Sequence, residues 1–182
     1  MRKFFLKVAF REKEYIIAYK SLKDGDYEYS WSLDKSFTDH FVSTEIMDIS
    51  VEVDVHLIKS SRLLQFLFKV SGNITFECDR CLDLVSLPVE LENEMIFKIE
   101  GKENNFEEEI LYLSEEESII NMAPFIYENI IFSFPIKRVH GTDKKGKSLC
   151  NKDMIKKLET LLVKDEKPVD ERWNDLNKLL NN

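Results

Sequence analysis

The stretch GNITFECDRCLDLVSLPVELENEMIFKIE, residues 72–100, constrains this chain most. Ile74-Thr75-Phe76-Glu77-Cys78 reads as a strand that delivers two thiols, Cys78 and Cys81, at C-x-x-C spacing. A second strand leaves them. From Val85 to Ile99 the odd positions are Val85, Leu87, Val89, Leu91, Asn93, Met95, Phe97 and Ile99, and only Asn93 is polar. Side chains alternate across a strand, so this pattern predicts a ribbon with one buried and one wet face. Its length predicts a long, bent hairpin arm with the cysteine pair at its turn.

Upstream, the same period of two recurs. Phe4, Leu6, Val8 and Phe10 alternate, Tyr15–Tyr19 is a short strand candidate, and Tyr27, Tyr29, Trp31 and Leu33 alternate again. Asp34 or Ser36 can cap a short helix through Phe41, with Phe37 and Phe41 on one face. Val51, Val53, Val55 and Leu57 form the next run, and Leu64, Phe66, Phe68 and Val70 its partner, with Ser71-Gly72-Asn73 expected to turn into the cysteine arm. Short antiparallel strands joined by turns predict a curved or barrel-like sheet over residues 1–113.

The glutamate clusters at Glu107–Glu109 and Glu115–Glu117, around a strand candidate Ile110–Leu113, read as solvated loop rather than a metal or acid–base cluster. The period then changes to about 3.6. Pro124 suits a first helical turn, and Phe125, Ile126, Ile130 and Phe134 follow at helical spacing as core packing up to Pro135. A basic loop spans 136–150. Asn151 caps a helix with Met154, Ile155, Leu158, Leu161 and Leu162 on its apolar face. After a linker at Lys164–Pro168, Asp170 caps a last helix carrying Trp173, Leu176, Leu179 and Leu180. The expected fold is therefore α+β, a single domain over 1–182 whose C-terminal portion, 119–182, is helical.

With 182 residues, 43% hydrophobic and 33% charged, the chain can bury one ordinary core. No apolar run is long enough for a bilayer, so no membrane association is expected. The N-terminal apolar run is broken by Lys7 and Arg11 with no small-residue cleavage site after it, so no signal peptide is expected. An odd count of three cysteines fits a reducing compartment, and cytoplasm is the expectation. The net charge is -8. Residues 135–157 hold eight basic and two acidic side chains, so that segment is +6 and the remainder -14. An autonomous nucleic-acid clamp is normally basic overall. The acidic bulk instead suits a basic protein partner, while Lys137, Arg138, Lys144, Lys145 and Lys147 can touch phosphate or a partner.

Cys78 and Cys81 admit three readings. As half of a tetrahedral zinc site they need two further ligands, which His140 and Cys150 can supply. As a thiol oxidoreductase the first cysteine should open a helix, whereas a strand containing Pro88 follows here, and Arg80 is weak support for a thiolate. As packing, both are small buried apolar groups. His40 and His56 read as surface or packing residues. No phosphate loop, dinucleotide turn, nucleophile elbow or H-E-x-x-H is present, and five glycines leave little for a phosphate cradle, so no enzyme is expected.

At Cys78-Asp79-Arg80-Cys81-Leu82 the chain resembles the YceD family, the large ribosomal RNA subunit accumulation proteins. The likeness includes V-x-G-x-I/V-x-x-x-C-D-R-C-L over Val70–Leu82, the helix ending in proline at Phe125–Pro135, and D-x-R-aromatic-x-x-L over Asp170–Leu176. The resemblance implies a role in 23S rRNA accumulation or processing and large-subunit biogenesis, without catalysis. It also implies a ribosomal protein such as L32, or a pre-ribosomal large-subunit particle, as partner. Many members carry a second cysteine pair in a Gly-rich C-terminal segment. Gly146–Cys150 matches part of it, and His140 stands where another cysteine is expected.

Overall fold

A computed structural model describes residues 13–41, 45–100 and 110–162. The expected strand at Phe4–Phe10, the cluster at Glu107–Glu109, the linker at Lys164–Pro168 and the last helix around Trp173 lie outside the described residues. The chain divides into two compact units, Met1–His140 and Gly141–Asn182.

The first unit is built on five strands: β2 (Gly25–Leu33), β3 (Asp48–Lys59), β4 (Leu63–Glu77), β5 (Leu84–Ile99) and β6 (Ile110–Leu113), in that order across the sheet. β2 through β5 pair antiparallel and β6 joins β5 in parallel, so the sheet is mixed. A separate pair, β1 (Ile16–Ile17) with β7 (Ile120–Asn121), sits beside 3-10 turns at Lys13–Tyr15 and Tyr19–Ser21. Thus the strand expected at Tyr15–Tyr19 shrinks to two residues. A four-residue helix, α1 (Lys35–Thr38), is capped by Asp34, whose carboxylate accepts from the Ser36 amide at 2.8 Å.

The sheet is open, not a closed barrel. β2 and β6 remain its edges. The inner face is covered instead by α2 (Ala123–Phe132). Phe125 meets Phe97 edge-on at 5.1 Å, and Tyr127 stacks on Phe41 at 4.1 Å. Ile126 and Ile130 are fully buried, as a helix in contact with a sheet requires. The core is the inward row of each strand, including Val53, Leu57, Leu64, Phe66, Ile74, Phe76 and Phe97.

Ser71-Gly72-Asn73 is no turn. β4 runs unbroken for 15 residues, pairing with β5 along its length and with β3 over Leu64–Thr75, on both sides of Gly72. Gly72 stands opposite Val51 with φ +150°, and a Cβ there would collide with the Ser50 carbonyl oxygen and lie 2.6 Å from the Val51 Cα. The glycine permits close approach of two strands rather than a reversal. The polar break at Asn93 also has a partner. Its amide donates to the Asn129 side-chain oxygen at 2.8 Å, and Asn129 donates to the Phe125 carbonyl at 2.8 Å. Asn129 is fully buried, so each end of the pair satisfies a group that would otherwise be desolvated without compensation.

The outer face of the sheet is acidic. Glu28, Glu52, Asp54, Glu90, Glu92 and Glu94 are exposed on it, and Lys69 offers one opposing charge, 3.4 Å from Glu92. His56 lies on this face 3.3 Å from Asp26. In the second unit α3 (Lys152–Leu161) starts at Asn151, whose side chain accepts from the Asp153 and Met154 amides. Its residues Leu158 and Leu161 are exposed, so the expected apolar stripe is present without being a core. No helix among the described residues is long and apolar enough to cross a membrane.

Candidate metal centre

β4 ends at Glu77 and β5 begins at Leu84, leaving six residues to reverse the chain. The Cys78 amide donates to the Asp83 carbonyl and the Leu82 amide to the Cys78 carbonyl, both at 2.9 Å. Leu82 takes φ +62°, which a non-glycine residue adopts only at a cost of about 1–2 kcal/mol. The tight reversal faces the Arg80 and Cys81 amides toward Cys78. Both cysteines are buried and neither is in a disulfide.

The segment after α2 locks onto this knuckle. The Asp79 amide donates to the Arg138 carbonyl at 2.8 Å, and the Arg138 amide donates to an Asp79 carboxylate oxygen at 2.7 Å. The Arg138 guanidinium lies over the Phe76 ring at 5.0 Å, lies 5.8 Å from the centre of the Phe134 ring, and pairs with Glu45 at 2.8 Å. Phe76 and Phe134 themselves meet edge-on at 4.9 Å. Two residues later, His140 presents its ring. Nδ1 lies 3.4 Å from the Cys81 sulfur and Nε2 lies 3.1 Å from the Leu84 carbonyl oxygen. A carbonyl only accepts, so Nε2 carries the proton and donates, and Nδ1 keeps its lone pair toward the sulfurs. This is the outer-shell arrangement that orients a histidine ligand.

The Cys78 and Cys81 sulfurs and a His140 ring nitrogen lie within 4.8 Å of one another. Zinc–ligand bonds of about 2.0–2.3 Å put tetrahedral ligands roughly 3.5 Å apart, so small inward shifts would bring these three around one ion. Burial alone would raise the Cys78 pKa. Hydrogen bonds from the backbone amides of Arg80, Cys81 and His140 act the other way and lower it, favouring the thiolate. Cys78 is therefore ready as a thiolate, the form that binds metal.

Cys150 belongs to the second unit, where the chain folds back on itself. Thr142 and Ser148 form an antiparallel bridge, and the Leu149 amide donates to the Gly141 carbonyl at 3.0 Å. The tip is held by Asp143, whose carboxylate accepts from the Lys145 and Lys147 amides at 2.8 and 2.9 Å. Gly146 takes φ +77° there, a left-handed position that glycine fills without strain. The hairpin returns Cys150 beside Gly141, the residue bonded to His140. Cys150 is buried and in no disulfide.

The basic residues separate into two kinds. Lys137, Lys144, Lys145 and Lys147 are exposed. Arg138 is committed to the Phe76, Phe134 and Glu45 contacts. Sequence reasoning did not find Asp79, Glu45 or the Leu84 carbonyl as supports of the knuckle. Asp79 lay inside the C-D-R-C motif and was the one with a local signal.

A mainly antiparallel sheet whose central hairpin ends in two thiols, met by an oriented imidazole, defines an α+β protein with a site suited to a soft or borderline metal ion. The chain belongs to the YceD family, described as "Large ribosomal RNA subunit accumulation protein YceD", which matches residues 66–180 and so takes in the knuckle, α2, the hairpin and α3. Neither a curated protein nor a solved structure matches the chain.

Proposed function

We propose that this protein is a non-enzymatic ribosome-biogenesis factor that supports 23S rRNA accumulation or processing and large-subunit assembly in the cytoplasm. The family match over residues 66–180 carries this reading. Within it, Cys78, Cys81, His140 and Cys150 hold one structural zinc. Support comes from the convergence of the first three donors and from the hairpin that returns the fourth ligand to the residue after His140. Such an ion would tie the knuckle to the base of the hairpin and contribute directly to folding. A second thiol pair is absent from this chain, so His140 serves where other members carry cysteine.

The acidic outer face of the sheet supports a basic protein partner over a nucleic acid at that surface, and L32 is the candidate the resemblance implies. Thiol-oxidoreductase chemistry has less support. Cys81 is followed by Leu82 in a left-handed conformation and then by β5, not by the helix that lowers a redox cysteine's pKa.

The test has two parts. Cells lacking the protein are scored for the 23S to 16S rRNA ratio and for free large subunits on a sucrose gradient, with and without the wild-type gene. Restoration of 23S rRNA by the wild type is expected, and an unchanged ratio in cells lacking the protein refutes the role. Metal is then measured in protein purified without chelator or metal-affinity resin. One zinc per chain in the wild type and little in His140→Ala or Cys150→Ser is expected. Metal-free wild type sinks the four-ligand site.

A further inference from the structure

We propose that the Gly141–Leu149 hairpin is an RNA phosphate-contacting tip, and that its grip on RNA depends on the metal ligands at its base. The second clause rests on the zinc site proposed above, and the first does not.

Three observations carry the proposal. First, the tip is preorganised. Asp143 uses its carboxylate on two amides of its own turn, the Asp143 amide donates to the Lys147 carbonyl at 2.8 Å, and the Gly146 amide donates to the Asp143 carbonyl at 2.9 Å. A fixed turn loses little conformational entropy when it engages a ligand. Second, this turn displays Lys144, Lys145 and Lys147 to solvent, and among the described residues none of the three is in an ion pair. Ammonium groups on flexible stems meet phosphates as point charges, without the geometric demands of a base edge. The carboxylate within the hairpin, Asp143, accepts from the backbone amides of Lys145 and Lys147. Third, His140 and Cys150 stand immediately before and after the hairpin, so both its strands are anchored by proposed ligands. Metal binding at the base would hold the two strands together and fix the lysines relative to one another.

The ligand class is a nucleic-acid phosphate backbone, RNA on the ribosome-biogenesis role proposed above, contacted at about three positions with no sequence readout implied. With three contacts, log affinity should fall against log salt with a slope of about −2 to −3. The overall charge of -8 predicts that binding is weak and confined to this tip.

The experiment titrates the full-length, metal-loaded chain into a fluorescently labelled 20-nucleotide RNA of mixed sequence at several KCl concentrations. The triple variant Lys144→Glu, Lys145→Glu, Lys147→Glu is expected to lose at least tenfold in affinity and most of the salt slope, while keeping its metal content. A control of equal charge change, Lys13→Glu, Lys23→Glu, Lys69→Glu, is expected to stay within threefold of wild type. Cys150→Ser, with its sheet intact by amide NMR, is expected to fall toward the triple variant. Equal losses in the control and the hairpin variant would overturn the tip, because net charge alone would then explain binding. A Cys150→Ser protein with wild-type affinity and slope would overturn the coupling. Metal-free wild type that still shows the lysine effect would refute the zinc reading and the coupling while leaving the tip standing.

Discussion

Gly72 and Gly25 provide a matched pair of perturbations. Their φ angles are +150° and +149°, so alanine at either position meets a backbone penalty. Holding a non-glycine residue in such a region costs about 1–3 kcal/mol, and the stiffer unfolded chain returns about 0.4–1 kcal/mol. The surroundings differ. A Cβ at Gly25 meets nothing within 4 Å, whereas one at Gly72 strikes the Ser50 carbonyl oxygen and the Val51 Cα. Those atoms are backbone in the neighbouring strand and cannot rotate away, so β3 must shift from β4. Overpacking of this kind costs a further 1–3 kcal/mol, roughly. Gly25→Ala is thus expected to destabilise by about 1 kcal/mol and Gly72→Ala by about 3 kcal/mol. For a chain of this size that difference is roughly 4–8 °C in Tm. Urea unfolding followed by tryptophan fluorescence, at fixed zinc, measures both. Equal destabilisation by the two variants would refute the close-approach account of Gly72. The Gly72 variant should also bind zinc less tightly, because β4 delivers Cys78.

Two further outcomes follow from the same contacts. Asn129→Leu removes the acceptor of the half-buried Asn93 amide and the donor to the Phe125 carbonyl, and should cost about 1–2 kcal/mol in urea unfolding; a loss below 0.5 kcal/mol, roughly, would show that the pair is not satisfying desolvated groups. Arg138→Ala should cost about 1–2 kcal/mol through the lost ring stacking and the partly exposed Glu45 pair. It should leave RNA affinity within twofold, since the guanidinium is engaged internally, and a large drop in RNA affinity would return Arg138 to the phosphate-contacting set.

Much of the fold is legible locally. The period-two rows at Tyr27–Leu33, Val51–Leu57, Leu64–Val70 and Val85–Ile99 each became a strand, because alternation only requires that one side of an extended chain be buried. The caps at Asp34 and Asn151 were equally readable, since a side-chain oxygen two or three residues before an unpaired amide suffices. The knuckle position followed from C-x-x-C between two strands.

Other features depended on residues far apart in the chain. Ser71-Gly72-Asn73 carries turn chemistry, yet Gly72 answers to Ser50 and Val51 on another strand. Asn93 looked like a flaw in an apolar row until Asn129 met it. Arg138 sits in a basic run and so reads as a contact for phosphate or a partner, and only the fold shows that it also meets Phe76 and Glu45. The parallel addition of β6 and the open sheet left no periodic trace, because register between strands is chosen by packing over α2 and not by either strand alone. For the site, the sequence by itself determined which side chains can ligate a soft metal and that two of them share a turn. Tertiary structure alone decided that His140 joins them, 59 residues from Cys81, with Nδ1 free because Nε2 is spent on the Leu84 carbonyl. Composition and spacing are properties of neighbours along the chain, whereas the lone pair left to face a metal is fixed by whichever distant backbone oxygen accepts a hydrogen bond from the other ring nitrogen.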